Sequence, residues 1–141
     1  MDINSLDRFI DAQERMYAVA LEEIRNGEKR SHWMWYIFPQ LRGLGMSSMA
    51  HTYGIAGLEE AKAYLAHPVL SARLIEISEA LFTLEKKNPE EIFGYIDAMK
   101  LRSSMTLFSL VSEEGSVFHK VLQRYYNGEP DGMTLSLVNK S

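Results

Sequence analysis

Residues 5–26, SLDRFIDAQERMYAVALEEIRN, carry the clearest helical pattern of the chain and decide its fold class. Apolar side chains recur there every three or four residues, with Gln13 as the one polar member of the stripe. The stripe consists of Leu6, Phe9, Ile10, Gln13, Met16, Tyr17, Ala20, Leu21 and Ile24. Asn4 or Ser5 can cap this helix and Gly27 is placed to end it. The pattern predicts a long amphipathic helix that buries one face.

The apolar run at 33–38, WMWYIF, fits either a buried strand or a buried helical turn. A strand would need a partner for its backbone, and the other strand-like run, residues 133–138, is short and terminal. We therefore predict a short helix that begins after Ser31 and ends before Pro39, followed by an ordered loop over 39–47.

Helical segments fill most of the remaining chain. In the first half we predict a helix after Ser47 or Ser48 that ends near Gly54, one over 58–66 and one from Pro68 to about Lys87. In the second half we predict a helix from Pro89 to Gly94, one over 95–111, and one capped by Ser116 and stopped by Gly128. A last turn is capped by Asp131. The sequence thus predicts an all-α fold, with residues 1–141 forming a single compact domain of about seven or eight helices of mixed length.

The composition is that of an ordinary globular protein. The 141 residues hold 15 Lys and Arg against 19 Asp and Glu, a formal charge of −4, with 46 % hydrophobic residues and no cysteine. The lack of cysteine excludes disulfides, thiol nucleophiles and Cys-type zinc sites. The opening MDINSLDRF resembles neither a signal peptide nor an anchor, and no apolar run approaches the ~20 residues of a membrane span. We expect a cytoplasmic protein without a membrane partner.

Several familiar chemistries lack their motifs. The four histidines are isolated, so we expect no metal site, and nothing indicates a cofactor. The adjacent Glu pairs at 22–23, 59–60, 90–91 and 113–114 point ~100° apart on a helix, which favours first-turn or surface charges over a two-carboxylate site. Neither a G-x-S-x-G elbow nor a Walker A motif occurs. An isoelectric point near 5.6 argues against a nucleic-acid partner.

Carboxylates are missing from two stretches of this acidic chain. Residues 29–58 contain no Asp or Glu but hold Lys29, Arg30 and Arg42, and residues 98–112 contain none either. A site for an anion should exclude carboxylates, because like charges repel strongly in a low dielectric. Chance clustering together with a buried core segment is the alternative.

The first stretch combines a glycine turn with aromatic side chains. Gly43 and Gly45 precede Ser47 and a helix start without acids, so free N–H groups there could bind an anion. An ordinary glycine turn is the alternative. Trp33 and Trp35 could stack a flat ring, but residues two apart on a helix point ~200° apart, so at most one faces a ligand. Core packing is the alternative for these aromatic residues.

The second stretch, residues 98–112, comes directly after Asp97 and contains a patch of polar side chains. Asp97, Lys100 and Ser104 share one helix face, and Asp97 can pair with Lys100. Lys100 would contact a phosphate, and Asp97 would orient it or accept a proton. A polar network that only stabilises the fold is the alternative.

The segments 29–47, KRSHWMWYIFPQLRGLGMS, and 93–108, FGYIDAMKLRSSMTLF, carry a resemblance that extends over nearly the whole chain. The chain resembles an uncharacterised, mainly bacterial family, which implies one small, mostly helical domain without an established activity. Members often carry the label calpastatin, but calpain inhibitors of that name are disordered, whereas this chain has a full apolar core. It is also similar in kind, though in no aligned motif, to a helical family thought to process ADP-ribose-like nucleotides.

Two hypotheses about function follow. The first is a cleft, formed where 29–47 meets 97–106, that binds and in one version hydrolyses a phosphorylated or nucleotide-like molecule. Its binding residues would be Lys29, Arg30, Trp33, Trp35, Gln40, Arg42, Gly43, Gly45, Ser47, Lys100, Ser103 and Ser104, with His32 and Asp97 as proton-transfer candidates. The second is a non-catalytic interaction domain with an exposed aromatic patch and a protein partner that the sequence does not identify. A purely structural role for the same residues is a third interpretation.

Overall fold

The computed structural model describes residues 5–140 and contains nine α-helices and one 3-10 turn within that range. The elements are α1 (Asp7–Arg25), α2 (Met34–Ile37), α3 (Ser48–Thr52), α4 (Leu58–Ala66), α5 (Pro68–Ala80), the 3-10 turn (Leu81–Thr83), α6 (Pro89–Phe93), α7 (Tyr95–Ser109), α8 (Val117–Tyr126) and α9 (Gly132–Lys140). An isolated parallel bridge between Leu41 and Ile55 is the one β contact of the described residues. The prediction of an all-α fold is confirmed.

The predicted end of α1 at Gly27 is confirmed, whereas Leu6 occupies the N-cap position and the predicted cap Ser5 lies one residue before it. The Ser5 hydroxyl accepts the N–H of Asp7 at 3.1 Å, whereas Asn4, the other predicted cap, lies outside the described residues. Gly27 follows the last turn with φ +76°, a left-handed conformation that costs glycine little. The chain therefore turns sharply after α1, and this turn directs residues 28–33 back across the fold.

Gln13 is the polar member of the α1 stripe, and its burial has a specific reason. Its Nε2 donates to the carbonyl of Tyr36 at 2.8 Å and to the Tyr64 hydroxyl at 3.0 Å. Both contacts are buried, so the amide pairs polar groups that would otherwise lie unsatisfied in the core. Gln13 thus joins α1 to α2 and α4.

The apolar run at 33–38 forms a single helical turn, as predicted, and most of it belongs to the core. Trp33 and Phe38 are fully buried, and Phe38 packs edge-on against Phe93 with ring centroids 6.0 Å apart. Trp35 is the member of the run that is only half-buried. Core packing therefore explains this run, with Trp35 as the exception.

The predicted length of the helix that starts at Pro68 is wrong, because α5 ends at Ala80 and not near Lys87. The Tyr125 hydroxyl donates to the carbonyl of Leu81 at 2.6 Å, and Arg124 donates to the carbonyl of Leu84. Both side chains lie on α8 and donate hydrogen bonds to backbone carbonyls just after the end of α5, and the backbone becomes extended at Leu84. Long-range contacts thus override a sequence pattern that would allow seven more helical residues.

The packing of the helices brings two distant segments together. The first helix lies against α5 and α2, and α7 lies against α6, α8 and α9. The loop after α1 meets the α6–α7 junction, where the N–H of Lys29 donates to the carbonyl of Ile92 at 2.8 Å. The caps predicted at Ser47, Ser116 and Asp131 are confirmed, although α9 is longer than the single turn expected.

Candidate functional site

A cleft of about 580 Å³ lies where the loop after α1 meets the start of α7. We call it the Lys29–Lys100 cleft; its lining residues are Lys29, His32, Met34, Trp35, Phe93, Gly94, Tyr95, Ile96, Asp97 and Lys100. The volume lies within the roughly 300–1,000 Å³ typical of small-molecule sites. Five residues predicted from the sequence therefore line one cleft: Lys29, His32, Trp35, Asp97 and Lys100.

Asp97 lies between the two lysines of the cleft. Its Oδ2 is 2.9 Å from Nζ of Lys29, and its Oδ1 is 3.7 Å from Nζ of Lys100. The Lys29 side chain is only 7 % exposed, and its Nζ also donates to the carbonyl of Ser31. The predicted Asp97–Lys100 pair is present, and Lys29 extends it into a triad that spans two segments of the chain.

Glu23, near the end of α1, fixes the segment that carries Lys29 and His32. Its carboxylate accepts the N–H groups of Arg30 and Ser31 at 2.8 and 2.9 Å, the Ser31 hydroxyl at 2.6 Å, and the indole N–H of Trp33 at 2.9 Å. Burial alone would raise the pKa of Glu23, but these four bonds outweigh it and lower the pKa from 4.5 to about 2. The interpretation of the 22–23 pair as surface charge is thus wrong for Glu23.

We expect Glu23→Gln to lower the free energy of unfolding at neutral pH. We also expect this free energy to fall less steeply in the variant as the pH is lowered. A carboxyl with a lowered folded pKa stabilises the fold fully above the unfolded pKa of 4.5 and loses that effect as the pH falls toward about 2. Urea unfolding at pH 7 should show a loss of about 1–2 kcal/mol, which shrinks as the pH approaches the folded pKa. The exposed neighbour Glu22 provides the control, because Glu22→Gln should change neither the free energy of unfolding at pH 7 nor its pH dependence. Equal effects of the two variants would contradict a stabilising role for the hydrogen bonds of Glu23.

The start of α7 contributes backbone donors to the cleft. Gly94 occupies the N-cap position with φ +81° and offers no capping side chain. Among residues 5–140, the N–H groups of Tyr95 and Ile96 donate to no backbone or side-chain acceptor. Asp97, in the same turn, is a favourable charge for the helix dipole. A helix of 15 residues thus begins at the cleft with unpaired N–H groups.

The two tryptophans play different roles. Trp33 is fully buried, so it cannot stack a ligand, and the sequence-based proposal is corrected for this residue. Trp35 lines the cleft, and Nζ of Lys100 lies 5.2 Å from its ring centroid. Its other neighbours include Gln40, Gly45 and Ala50, around a gap of only about 10 Å³. Trp35 therefore separates the cleft from the loop over 43–47, which we call the glycine loop.

The glycine loop does not line the cleft. Gly45 packs so tightly that a Cβ there would lie 2.7 Å from the Cβ of Ala50, and Gly43 faces Leu137 of α9. The Ser47 hydroxyl caps α3, which has only five residues. Arg42 donates its Nε to the carbonyl of His51 at 3.0 Å. The loop is thus occupied with packing against α3 and α9.

Three further predicted residues also lie outside the cleft lining. Arg30 is exposed and faces a separate hollow that contains Glu22, Glu23 and Glu28, with Glu28 at 3.5 Å. Ser103 donates to the carbonyl of Met99 at 3.2 Å. Ser104 is fully buried, and its hydroxyl has no partner among the described residues.

The sequence interpretation missed Tyr95 and Ile96, whose side chains form the outer lip of the cleft. They are 65 % and 67 % exposed, which is unusual for large apolar residues at the start of a long helix. Gly94 just before them signals the break between α6 and α7, but no periodicity indicates that both side chains project outward. One exposed aromatic and one exposed aliphatic side chain therefore lie at the edge of the cleft.

Two kinds of feature are not found in the described part of the chain. Residues 5–140 contain no group of three His, Cys, Asp or Glu side chains that could hold a metal ion. None of the helices in that range combines the length and hydropathy that a transmembrane span requires. The charged side chains that line the cleft are those of Lys29, Lys100 and Asp97, and the ring of His32 lies beside them.

Comparison with known proteins identifies a family but no activity. The chain is 46 % identical to the conserved hypothetical protein Rv1873 from Mycobacterium tuberculosis, whose crystal structure matches with a TM-score of 0.94 over 98 % of this chain and 99 % of the other. No curated protein matches the chain. A family model described as protein of unknown function, DUF1810, matches residues 3–138. The chain therefore belongs to this DUF1810 family of proteins of unknown function.

Proposed function

We propose that the Lys29–Lys100 cleft binds a small phosphorylated molecule with a flat or apolar portion, such as a nucleotide or an ADP-ribose-like compound. One observation carries the proposal: the ammonium groups of Lys29 and Lys100 converge on a single open cleft at the start of α7. Lysine pairs and helix N-termini are both common partners of phosphate.

The charge of the cleft is opposite to that of the whole protein. Two ammonium groups against the carboxylate of Asp97 leave a local charge of +1, while the chain carries −4. An entering phosphate can replace Asp97 as the partner of Lys100, whose contact with it is the longer of the two at 3.7 Å. The N–H groups of Tyr95 and Ile96 can then donate to the remaining oxygens.

The lip of the cleft suits the rest of such a ligand. The exposed ring of Tyr95 and the side chain of Ile96 offer an apolar surface beside the charged floor. A base or another flat ring could stack on Tyr95, because one face of Trp35 already carries the Lys100 ammonium. Tyr95 therefore takes the stacking role that the sequence suggested for a tryptophan.

Hydrolysis at this site would require a group that moves a proton. His32 and Asp97 both line the cleft, so they are the side chains of this chain that are placed to move a proton there. Binding is the primary proposal, and turnover is the extended version of it.

A thermal-shift panel tests the proposal. We expect AMP or ADP-ribose, and inorganic phosphate more weakly, to raise the melting temperature. A ligand at 100 times its Kd adds about 2.7 kcal/mol to the free energy of unfolding. Each kcal/mol raises the melting temperature by about 3 °C at this chain length. Adenosine, which lacks phosphate, should give no comparable shift. Product analysis by chromatography on the same samples tests turnover.

Lys100→Ala is the decisive variant. We expect it to weaken ligand binding by about 10–100-fold through the lost charged contact and to cost under about 1 kcal/mol of stability, because the side chain is partly exposed. Lys62→Ala, at an exposed lysine of α4, serves as the control and should bind like the unchanged protein. If no phosphate compound shifts the melting temperature, the binding proposal fails.

The alternative is an interaction domain, and one observation favours it. Tyr95, Ile96 and Met99 form an exposed apolar group on the first turns of α7. Such a patch suits a protein partner as well as a ligand ring. If no compound of the thermal-shift panel raises the melting temperature, an interaction with a protein partner would explain the exposed apolar side chains better than a ligand does.

A further inference from the structure

The two lysines of the Lys29–Lys100 cleft differ in their access to solvent. The Lys29 side chain is 7 % exposed, whereas the side chains of Lys100 and Asp97 are 26 % and 21 % exposed. A phosphate that enters from solvent therefore meets Lys100 before it can reach Lys29. A nearly buried ammonium is costly unless it is paired, so the contacts of Lys29 inside the protein indicate what it does.

The carboxylate of Asp97 is shared unequally between the two lysines. Its Oδ2 lies at hydrogen-bond distance from Nζ of Lys29, 2.9 Å, whereas its Oδ1 lies 3.7 Å from Nζ of Lys100. Asp97 and Lys100 are three positions apart on α7, a spacing at which opposite charges pair readily on a helix. The carboxylate nevertheless pairs closely with Lys29, from a distant part of the chain, and leaves Lys100 with the weaker contact.

Other groups hold the Lys29 side chain in this place. Its Nζ also donates to the carbonyl of Ser31 and lies 5.0 Å from the centre of the Trp33 ring. The Glu23 carboxylate in turn accepts the N–H and hydroxyl of Ser31 and the indole N–H of Trp33. The backbone N–H of Lys29 is bonded to the carbonyl of Ile92. Lys29 is therefore held by contacts that involve neither Asp97 nor Lys100.

We propose that Lys29 is a positioning residue that holds the Asp97 carboxylate away from Lys100 and so keeps the Lys100 ammonium available for phosphate. This role rests on the proposed function of the cleft. Without Lys29, the one remaining ion-pair partner of Asp97 among residues 5–140 is Lys100. A close pair between these two would cancel the charge that attracts the ligand, and an unneutralised carboxylate beside the entering phosphate would repel it. Lys29 thus acts on the ligand through Asp97.

A double-variant cycle on ligand affinity tests this role. AMP is titrated calorimetrically into the unchanged chain, Lys29→Met, Asp97→Asn and the double variant, at one pH and at a temperature where circular dichroism shows each protein to be folded. We expect Lys29→Met to weaken AMP binding by about tenfold and Asp97→Asn to strengthen it by about threefold, as for coupled neighbouring charges. In the Asp97→Asn background, Lys29→Met should weaken binding by less than about threefold, because no carboxylate remains to neutralise Lys100.

The outcomes separate this role from the proposed function itself. A loss of about tenfold in both backgrounds would overturn the role, because Lys29 would then contact the phosphate directly, while the binding proposal would stand. Equal AMP affinity of Lys29→Met and the unchanged chain would overturn it as well. If the unchanged chain binds neither AMP nor ADP-ribose nor inorganic phosphate, the proposed function fails and the role of Lys29 fails with it.

Glu23→Gln tests the same contacts without removing a residue of the cleft. It weakens the hold on Ser31, so we expect it to weaken AMP binding by about threefold, and to lose this effect when Asp97→Asn is also present. A loss that Asp97→Asn does not reverse would contradict the proposal. Should Lys29→Met not fold, the cycle of Glu23→Gln with Asp97→Asn decides between the outcomes.

An exposed ion pair on α4 provides the control for net charge. Lys62 lies 3.5 Å from Glu59 at the same helical spacing as Lys100 from Asp97. Lys62→Met changes the charge of the chain by the same amount as Lys29→Met and should leave AMP binding unchanged. A loss for Lys62→Met equal to that for Lys29→Met would trace the effect to overall charge and would overturn the proposal.

Discussion

Replacement of Arg8 by methionine is expected to lower the free energy of unfolding by about 3–5 kcal/mol, which is the typical cost of breaking a buried ion pair from one side. Arg8 is 3 % exposed although it lies in the first turn of α1. All five of its N–H donors are used, as follows. Nε donates to the carbonyl of Thr52 at 2.8 Å, Nη1 to the carbonyl of Ser5 at 2.7 Å and to Glu60 at 3.2 Å, and Nη2 to the carbonyl of Gly54 at 2.9 Å and to Glu60 at 2.9 Å.

The size of the effect follows from what the substitution leaves behind. Methionine can still cover the Phe9 ring, over which the guanidinium carbon lies at 4.3 Å, but it removes every donor, so the Glu60 carboxylate, which is only 11 % exposed, keeps only the N–H of Ala56 at 2.9 Å. The carbonyls of Thr52 and Gly54 lose their side-chain donor at the same time. Unsatisfied buried groups cost more than the net value of the bonds that they replace. A total stability of about 5–15 kcal/mol makes this loss large.

Urea unfolding followed by circular dichroism measures the effect. Lys62→Met breaks an exposed ion pair with Glu59 and should cost under about 1 kcal/mol, which makes it the matched control. The double variant Arg8→Met with Glu60→Gln should lose less than the sum of the single variants, because the uncompensated carboxylate is gone. A loss for Arg8→Met no greater than that for Lys62→Met would show that the network contributes little.

The helical framework could be predicted because its signals are local. The stripe of α1, the glycine that follows it, and the caps at Ser47 and Ser116 act within one or two turns, and the structure confirms each of them. Hydrophobic period and capping chemistry are properties of a short window, so a single sequence reveals them.

The long-range features could not be predicted in the same way. Arg8 has the spacing of a surface residue, and its partner Glu60 lies 52 positions further along the chain. Glu23 likewise looks like an exposed charge until the turn at Gly27 returns residues 30–33 to it. Nothing in the local pattern separates a carboxylate that will accept four bonds from one that faces water.

The candidate site shows the same division. The lack of carboxylates drew attention to Lys29 and Lys100, and both line one cleft. The same criterion included the 43–47 loop, because it measures charge and carries no information about packing. The loop packs under α9, and its glycines allow close approach to neighbouring atoms. Composition thus identified the cations, while tertiary contacts decided which of them share a cavity.

The two tryptophans provide the second large expected effect. Trp33→Ala should lower the free energy of unfolding by about 3–5 kcal/mol, because it removes a fully buried ring and leaves a cavity beside Phe38. Trp35→Ala should cost less than half as much, since the side chain is only half-buried. Urea titrations of both variants provide the comparison, and equal losses would contradict the assignment of Trp33 to the core and Trp35 to the cleft wall.

Trp33→Phe separates the packing of this residue from its effect on the cleft. Phenylalanine keeps most of the apolar volume but loses the indole N–H that donates to Glu23 at 2.9 Å, and it offers a weaker ring to Nζ of Lys29, which lies 5.0 Å from the Trp33 ring. We expect a stability loss of about 1–2 kcal/mol and a weaker thermal shift with phosphate ligands, although Trp33 itself lines no part of the cleft. An unchanged ligand shift in Trp33→Phe would mean that Lys29 needs no support from this ring. The ion pair with Asp97 and the bond to the Ser31 carbonyl would then hold that lysine without it.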